Sequence, residues 1–360
     1  MHQLKVAIRV DADRTIGGGH AYRCLAVADA LSKQRAVCLI VTRGVSLSVV
    51  PALARTGHRL IVLEDVGEDE VDHADKVGSL IGRIDLLVID NYLLGAAFER
   101  SMRAWARCIA AIEDAPNRVH SVDILIDQTH GRSEGEYAEV ASQTEILAGS
   151  AYALLRQQFA RLRQGSLAWR RARAGRVERI LVAFGATDPN NYCGRALDLL
   201  LSIPDIQMDV LIGACHPAAQ DIRTKVSEVG SRVRILESRD DVAELMAGVD
   251  LAVGSAGVMS WERCTLGVPS VISISANNQT NVADSLIRSG AALCLGEGVA
   301  GLQELPRAIV ELRAHPAQVL CMSQRAAELC DGQGAERAAE ALMRAAQQRS
   351  LSAKMAVPNQ

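Results

Sequence analysis

Three consecutive glycines, Gly17 to Gly19, stand directly before His20 in the stretch DRTIGGGHAYRCLAVADAL. An imidazole titrates near neutrality and can take a proton from water or a hydroxyl, so a histidine on such a turn has the chemistry of a general base. Glycines at a strand end let the backbone adopt positive φ and approach a ligand, and the free amides of the following helix suit an anion such as a pyrophosphate. The structural alternative is a histidine hydrogen-bonded to its own loop. The spacing is not the dinucleotide fingerprint G-x-G-x-x-G: Gly17 and Gly19 fit its start, but Tyr22 takes the place of the last glycine, so NAD binding is weakly supported.

Three further stretches have chemical content. In GSAGVMSWERCTLGVPS a strand ends at Val253, Ser255 to Gly257 form a tight loop, and a helix starts near Val258 and is closed by Gly267 and Pro269. Amides and the hydroxyls of Ser255 and Ser260 suit a diphosphate, and Glu262 suits ribose hydroxyls. The plain alternative is a strand-helix unit with Trp261 as core and Glu262 as a partner of the helix dipole. In FGATDPNN, Asp188 reads as a cap with Pro189 in the first helical turn, and Thr187 as a ligand contact. In SANNQTNVADSL, the amides of Asn278 and Gln279 can pair with sugar hydroxyls, whereas Asn277 is equally explained by turn chemistry.

These stretches must be positioned by something, and the apolar pattern says by what. Leu4, Val6, Ile8 and Val10 alternate as a strand, the glycines follow, and Cys24, Val27, Ala28 and Leu31 recur at helical spacing. Strand signals return at RAVCLIVT, HRLIVLED, IDLLVIDNY, IAAIED and SVDILIDQ, with helices at SVVPALARTG and ERSMRAWARC. Short apolar runs alternating with helices predict doubly wound parallel sheets. The segment RQQFARLRQGSLAWRRARAGRVER breaks this rhythm with eight arginines and reads as a linker with one short helix and a solvated basic face. The alternation then resumes through RILVAFG, MDVLIGA, RVRILES, DLAVG, SVISIS and AALCLG. The expected organisation is therefore residues 1–155, a Rossmann-like domain with the glycine loop; 156–178, a linker; 179–345, a second Rossmann-like domain; and 346–360, a polar tail. Two such domains face a cleft with the carboxyl ends of both sheets, where these folds bind ligands.

Composition excludes several alternatives. With 360 residues and 49% hydrophobic side chains the chain can build two cores. A formal charge of −3 and 3% aromatics give neither the basic field nor the stacking platforms of a nucleic-acid binder. Nine cysteines without a C-x-x-C pair read as reduced, mostly buried thiols, which argues against a metal site or a disulfide framework. No window reaches the ~18 apolar residues of a membrane span, and MHQLKVAIRV lacks the features of a signal peptide, so the expected location is cytoplasmic, without membrane insertion.

Taken together, RVDADRTIGGGHAYRCLAVADAL, LLVIDNYLL, DILIDQ, ILAGSAYALLRQQF, FGATDPNN and DLAVGSAGVMSWERCTLGVPSV followed by NNQ resemble the UDP-2,4-diacetamido-2,4,6-trideoxy-β-L-altropyranose hydrolases of pseudaminic acid biosynthesis, the PseG/SpsG family. The resemblance spans roughly residues 4 to 340. It implies a GT-B-like pair of Rossmann domains, akin to MurG glycosyltransferases, that uses water in place of an acceptor on the way to a bacterial surface glycan. It puts the family pattern on Arg9, Asp11, Ile16, Gly17, Gly19, His20 and Arg23, with His20 as the base that activates water. Ser255, Gly257, Ser260 and Glu262 then hold the nucleotide, and Asn278 and Gln279 lie beside the sugar.

The implied reaction is attack at the anomeric carbon with inversion, releasing UDP, whose charge the amides near residues 256 to 260 stabilise, with no cofactor or metal demanded. Asp13 and Ala186 depart from the family pattern, which has a small residue and a second glycine there, and bear on sugar preference and on backbone approach. A GT-B glycosyltransferase using a UDP-sugar donor, a hydrolase of a related nucleotide sugar and a non-catalytic sugar-nucleotide binder are the alternatives.

Overall fold

Residues 3–355 are described by a computed structural model, except 65, 66 and 68. The end of the predicted tail, 356–360, and Asp65 of the predicted third strand lie outside the described residues. Continuous Val, Ile and Leu runs, buried on both faces, form parallel strands. The first sheet contains β1 (Lys5–Val10), β2 (Val37–Arg43), β3 (Arg59–Leu63), β4 (Ile84–Asp90), β5 (Ala106–Glu113), β6 (Ile124–Asp127) and β7 (Glu145–Ala148), in the order β3-β2-β1-β4-β5-β6-β7. The second contains β8 (Arg179–Ala183), β9 (Gln207–Ile212), β10 (Val233–Glu237), β11 (Leu251–Ser255), β12 (Ser270–Ile274) and β13 (Ala292–Glu297), in the order β10-β9-β8-β11-β12-β13.

Every pairing between these strands is parallel. In each sheet the strand order reverses between two neighbours, β1 and β4 in one, β8 and β11 in the other. Crevices open outside the carboxyl ends of strands at such reversals. The glycine loop follows β1, Asp90 ends β4, FGATD follows β8 and the SAG turn follows β11. All the motifs with chemical content except the amide pair after β12 therefore fall at the two reversal points.

Local expectations fail where a side chain or a long-range contact intervenes. SVVPALARTG is not one helix: Pro51 has no N–H to donate, and the chain splits into Gly44–Val49 and a 3₁₀ turn Pro51–Leu53. The arginine-rich segment is a 17-residue helix, Gln157–Arg173, rather than a solvated connector. Its arginines close the carbonyl ends of second-domain elements: Arg170 donates to Leu266 O, Val249 O and Met246 O at 2.8–2.9 Å, and Arg163 donates to Thr265 O, Ala327 O and Cys330 O. Helix ends leave such carbonyls without partners, so donors are drawn inward. The helix Gly334–Met355 runs through most of the expected tail and joins the first-domain core, where Ala338 and Leu342 are fully buried with Val27 and Leu31. Lys33 pairs with Glu336 at 3.2 Å across this junction.

Candidate active site

The helix Gly19–Lys33 has Gly18 at its cap with no side-chain hydrogen bond, so its first-turn amides are not satisfied by a capping side chain. Gly17, at φ +81°, makes the turn that only glycine adopts without strain. His20 follows in the first helical turn, and its Nδ1 lies 2.6 Å from Oδ1 of Asp90. The sheet causes this meeting: β1 and β4 are neighbours, with Val10 opposite Asp90. Arg23, one turn on, donates Nε to Asp90 Oδ2 at 2.6 Å, Nη2 to Asp90 Oδ1 at 2.7 Å and Nη1 to Asp114 Oδ1 at 2.7 Å. Tyr92 donates its hydroxyl to Asp114 and sets its ring edge-on to the imidazole, 4.7 Å between centroids.

The charges of this cluster bear on its carboxyls and on Tyr92. Burial alone raises the Asp90 carboxyl, but the charges of Arg23 and His20 and their hydrogen bonds outweigh it and hold Asp90 well below the usual carboxylate range. Asp114 is lowered in the same way, burial being overcome chiefly by Arg23. Tyr92 is raised by burial and by Asp114, so its hydroxyl stays protonated and donates. An ionised Asp90 only accepts, so Nδ1 of His20 carries a proton, and Nε2 is the nitrogen that bears the lone pair in the neutral ring. Arg23 Nη2 is 3.1 Å from Nδ1, but two donors do not bond each other; both converge on Asp90 Oδ1.

Second-domain loops press directly on this turn. A Cβ added at Gly18 would lie 2.9 Å from the Cβ of Ala186, one at Gly19 2.9 Å from Val258 Cγ2, and one at Gly17 3.9 Å from Thr187 Oγ1. At Gly257 it would lie 3.7 Å from Ser255 Oγ and 3.9 Å from Gln279 Nε2. Gln279 accepts from the amide and hydroxyl of Ser275 at 3.0 and 3.1 Å, which fixes its carboxamide in the 3₁₀ turn Asn277–Gln279. The Asn278 side chain meets the Tyr92 hydroxyl across the domain gap. Gly17, Gly19, His20, Arg23, Thr187, Ser255, Gly257, Asn278 and Gln279 are thus gathered at one junction.

Other predicted residues stand differently. Glu262 is buried, and burial pushes its carboxyl up against the opposing pull of Arg156 and Arg263. Its ion pair with Arg156 is long, 3.6 Å from Arg156 Nη2. Ser260 is buried and accepts from Arg263 Nη2 at 2.9 Å, and the same nitrogen donates to Ser255 O, so Ser260 braces the turn rather than opening onto it. Arg9 is fully buried and forks onto Asp11 with two contacts of 2.6 Å. Asp11 also accepts from Arg43 N and Asn91 Nδ2, so the pair ties together the ends of β1, β2 and β4 and reaches a ligand only through that frame.

Asp13 turns to its own loop, accepting from Thr15 N and Ile16 N at 2.8 Å, and faces Arg43 at 3.4 Å. Asp188 does accept first-turn amides, from Tyr192 and Cys193 at 2.8 Å, but the helix begins at Tyr192, after Asn191 with φ +53°, so Pro189 lies outside it. The reading of the sequence missed Asp90, Tyr92, Asp114 and Arg156. Arg156 lies 5.0 Å over the Tyr22 ring, with Nη1 3.4 Å from Asp240 O and a buried Nε that has no hydrogen-bond partner among the described residues.

Asp188, Cys193 and His216 bring ligand-type atoms within 4.8 Å of one another. Ala218 N donates to His216 Nδ1 at 3.2 Å, so Nε2 carries the proton and donates to Asp188 Oδ2 at 3.1 Å. Burial pushes the Cys193 thiol far up. Metal ligands need free lone pairs and a thiolate, and this cluster offers instead a hydrogen-bonded brace behind Thr187.

Residues 196–342 match the glycosyltransferase family 28 C-terminal domain. The chain is similar to the uncharacterized protein MJ1062 of Methanocaldococcus jannaschii, 24% identical over 75% of this chain and 55% of the relative. It thus spans about half the length of that relative. It is 25% identical to the spore coat polysaccharide biosynthesis protein SpsG of Bacillus subtilis, over 82% of this chain and 84% of the relative. Among solved structures, Acinetobacter baumannii MurG aligns with a TM-score of 0.63 at 14% identity, over 95% of this chain and 99% of that one. S. aureus MnaA in complex with UDP aligns with 0.63 at 14% identity, over 93% and 95%. The architecture is a GT-B α/β fold of two parallel-sheet Rossmann-like domains. With the relatives, it supports a GT-B enzyme of the nucleotide-sugar class.

Proposed function

We propose that the protein hydrolyses a UDP-sugar at its anomeric C1–O bond, with UDP-2,4-diacetamido-2,4,6-trideoxy-β-L-altropyranose as substrate, inversion at C1, and a place in nonulosonic acid biosynthesis. The observation that carries this reading is the 2.6 Å contact between His20 Nδ1 and Asp90 Oδ1, which leaves Nε2 for the role of base on the helix whose glycine turn meets the second-domain loops. Water gives its proton to Nε2 as its oxygen bonds to C1; the C1–O bond breaks, and UDP leaves with the electron pair. Asp90 stabilises the imidazolium that results, in the manner of a catalytic triad's carboxylate.

On the donor side, Ser255, Gly257 and the backbone of their turn receive the diphosphate and balance its charge. Glu262 accepts from the ribose, because a buried carboxylate whose ion pair with Arg156 is long has lone pairs to spare. Asn278, Gln279 and Tyr92 line the sugar side, and Thr187 lies against the glycine loop. No step calls for a cofactor. The similarity to SpsG over most of both chains supports this assignment.

A glycosyltransferase is the second reading, favoured by the family 28 match and by MurG among the structural neighbours. Acceptor dependence separates the two. Incubation of the UDP-sugar with enzyme alone is expected to give free sugar whose first-formed anomer, followed by proton NMR, is inverted. UDP release only after addition of an acceptor would assign the transferase.

A further inference from the structure

A second charge cluster, with Glu113, His120 and Glu99 buried and Arg118 part-buried, adjoins the segment that carries Tyr92. Arg118, in the loop between β5 and β6, donates Nη1 to Tyr92 O at 3.1 Å and to Leu94 O at 2.8 Å, and Nη2 to Asn91 O at 3.1 Å. One guanidinium thus takes three carbonyls of the segment that follows Asp90. That segment carries Asn91, which donates to Asp11, and Tyr92, which packs edge-on to His20 and donates to Asp114.

Arg118 is itself held. Its Nε donates to Glu113 Oε1 at 2.7 Å, and Glu113 is buried and immediately precedes Asp114. Glu113 Oε1 also faces His120 Nε2 at 3.2 Å, and His120 Nδ1 reaches Glu99 Oε1, in the helix Ala96–Met102, at 2.7 Å. Carboxylates and cations alternate, so each buried carboxylate and the buried imidazole have an opposite neighbour, the condition under which such a network rigidifies its surroundings.

We propose that Arg118 is a positioning residue for the active site: by fixing the carbonyls of Asn91, Tyr92 and Leu94 it sets Tyr92 against His20 and Asp114, and so sets the direction of the imidazole. This rests on the reading of His20 as the base for its kinetic consequence, but not for its geometric one. Lysine at 118 keeps the charge, but its three N–H donors sit on one nitrogen, where the planar guanidinium reaches the carbonyls from two nitrogens and Glu113 from a third.

The test uses Arg118→Lys and Arg118→Met with two readouts. The first is the carbon-bound imidazole proton resonances of His20 in the free protein, assigned by loss of signal in His20→Ala. The second is steady-state UDP release, with UDP affinity by calorimetry as a check on the second domain. Expected are shifted His20 resonances in both variants, kcat lowered by about tenfold or more with KM and UDP affinity little changed, since small misplacements of a reacting group have large rate costs.

Unchanged His20 resonances and unchanged kcat in folded Arg118→Lys would overturn the proposal, as would a loss confined to UDP affinity. If Arg118→Met does not fold, the lysine variant alone decides. If wild type releases no UDP, the proposed reaction fails, and the His20 resonances still decide whether Arg118 positions the imidazole.

Discussion

His20 Nδ1 and Asp90 Oδ1 stand 2.6 Å apart although 70 positions separate them in the chain. Neighbouring parallel strands deliver both: one ends in the glycine loop, the other in the carboxylate. Replacing the carboxylate by an amide removes the charge that favours the Nδ1–H tautomer. Asp90→Asn is expected to lower kcat by ~10³- to 10⁴-fold, as loss of an orienting carboxylate does in catalytic triads. It also leaves Arg23 with Asp114 as its one side-chain carboxylate among those described, so a lower melting temperature is expected. UDP titration by calorimetry checks that the fold persists; full activity in a folded Asp90→Asn would remove the dyad from the mechanism.

Glu262 is expected to act on binding rather than on turnover. A hydrogen bond to a charged acceptor contributes about 1.5–3 kcal/mol, so Glu262→Ala should weaken UDP by roughly 10- to 100-fold. Comparing UDP with 2′-deoxy and 3′-deoxy analogues on both proteins checks the assignment. Equal UDP affinity in the variant would refute ribose recognition by this residue.

The glycine loop has almost no room. Gly19→Ala would bring a methyl group to 2.9 Å from Val258 Cγ2 without backbone strain from positive φ. Overpacking of that kind costs about 1–3 kcal/mol. Because the clash is between domains, it is expected to appear as a raised KM and lower UDP-sugar affinity. The paired change Gly19→Ala with Val258→Ala should recover most of it, and kinetics on the single and double variants measure the recovery.

His120 makes a pH dependence. Burial opposes its charge, but the hydrogen bonds it donates to Glu113 and Glu99, and the charges of those carboxylates, outweigh it and raise the imidazole from 6.5 to about 9. A raised folded pKa stabilises the protonated form: the contribution is full below about 6.5, declines above it, and is gone once pH has passed through about 9. Its size is roughly 3 kcal/mol, an order-of-magnitude figure. Urea unfolding at pH 6 and at pH 10 should show wild type losing more stability than His120→Gln between the two; equal losses would contradict the charged histidine.

The alternation of short apolar runs and helices was enough to reveal two parallel-sheet domains, and the glycine and small-residue turns were visible because strand ends at reversal points need residues that permit close approach. The helix Glu70–Ile81 has no counterpart in that reading, nor has Ala219–Val229, because their polar faces mask a weak apolar stripe. Arginines of the Gln157–Arg173 helix look solvated in sequence, since nothing local says that carbonyls of distant helices will meet them.

Asp90, Tyr92 and Asp114 acquire their roles from strand order, which is a long-range property. Asp90 did leave a trace, as the polar residue ending the apolar strand IDLLVID. Arg9 and Asp11 entered through the resemblance alone; that they pair with each other and tie strand ends together is a long-range property that no local pattern shows.

Every proposed step depends on His20 as the base. The direct measurement is UDP release without acceptor from UDP-2,4-diacetamido-2,4,6-trideoxy-β-L-altropyranose by wild type and His20→Ala side by side, with UDP affinity measured on both. Expected are turnover by wild type, a loss of ~10²- to 10⁴-fold in the variant, and equal UDP affinity. Equal turnover by both proteins, or release by wild type only when an acceptor is supplied, would contradict it.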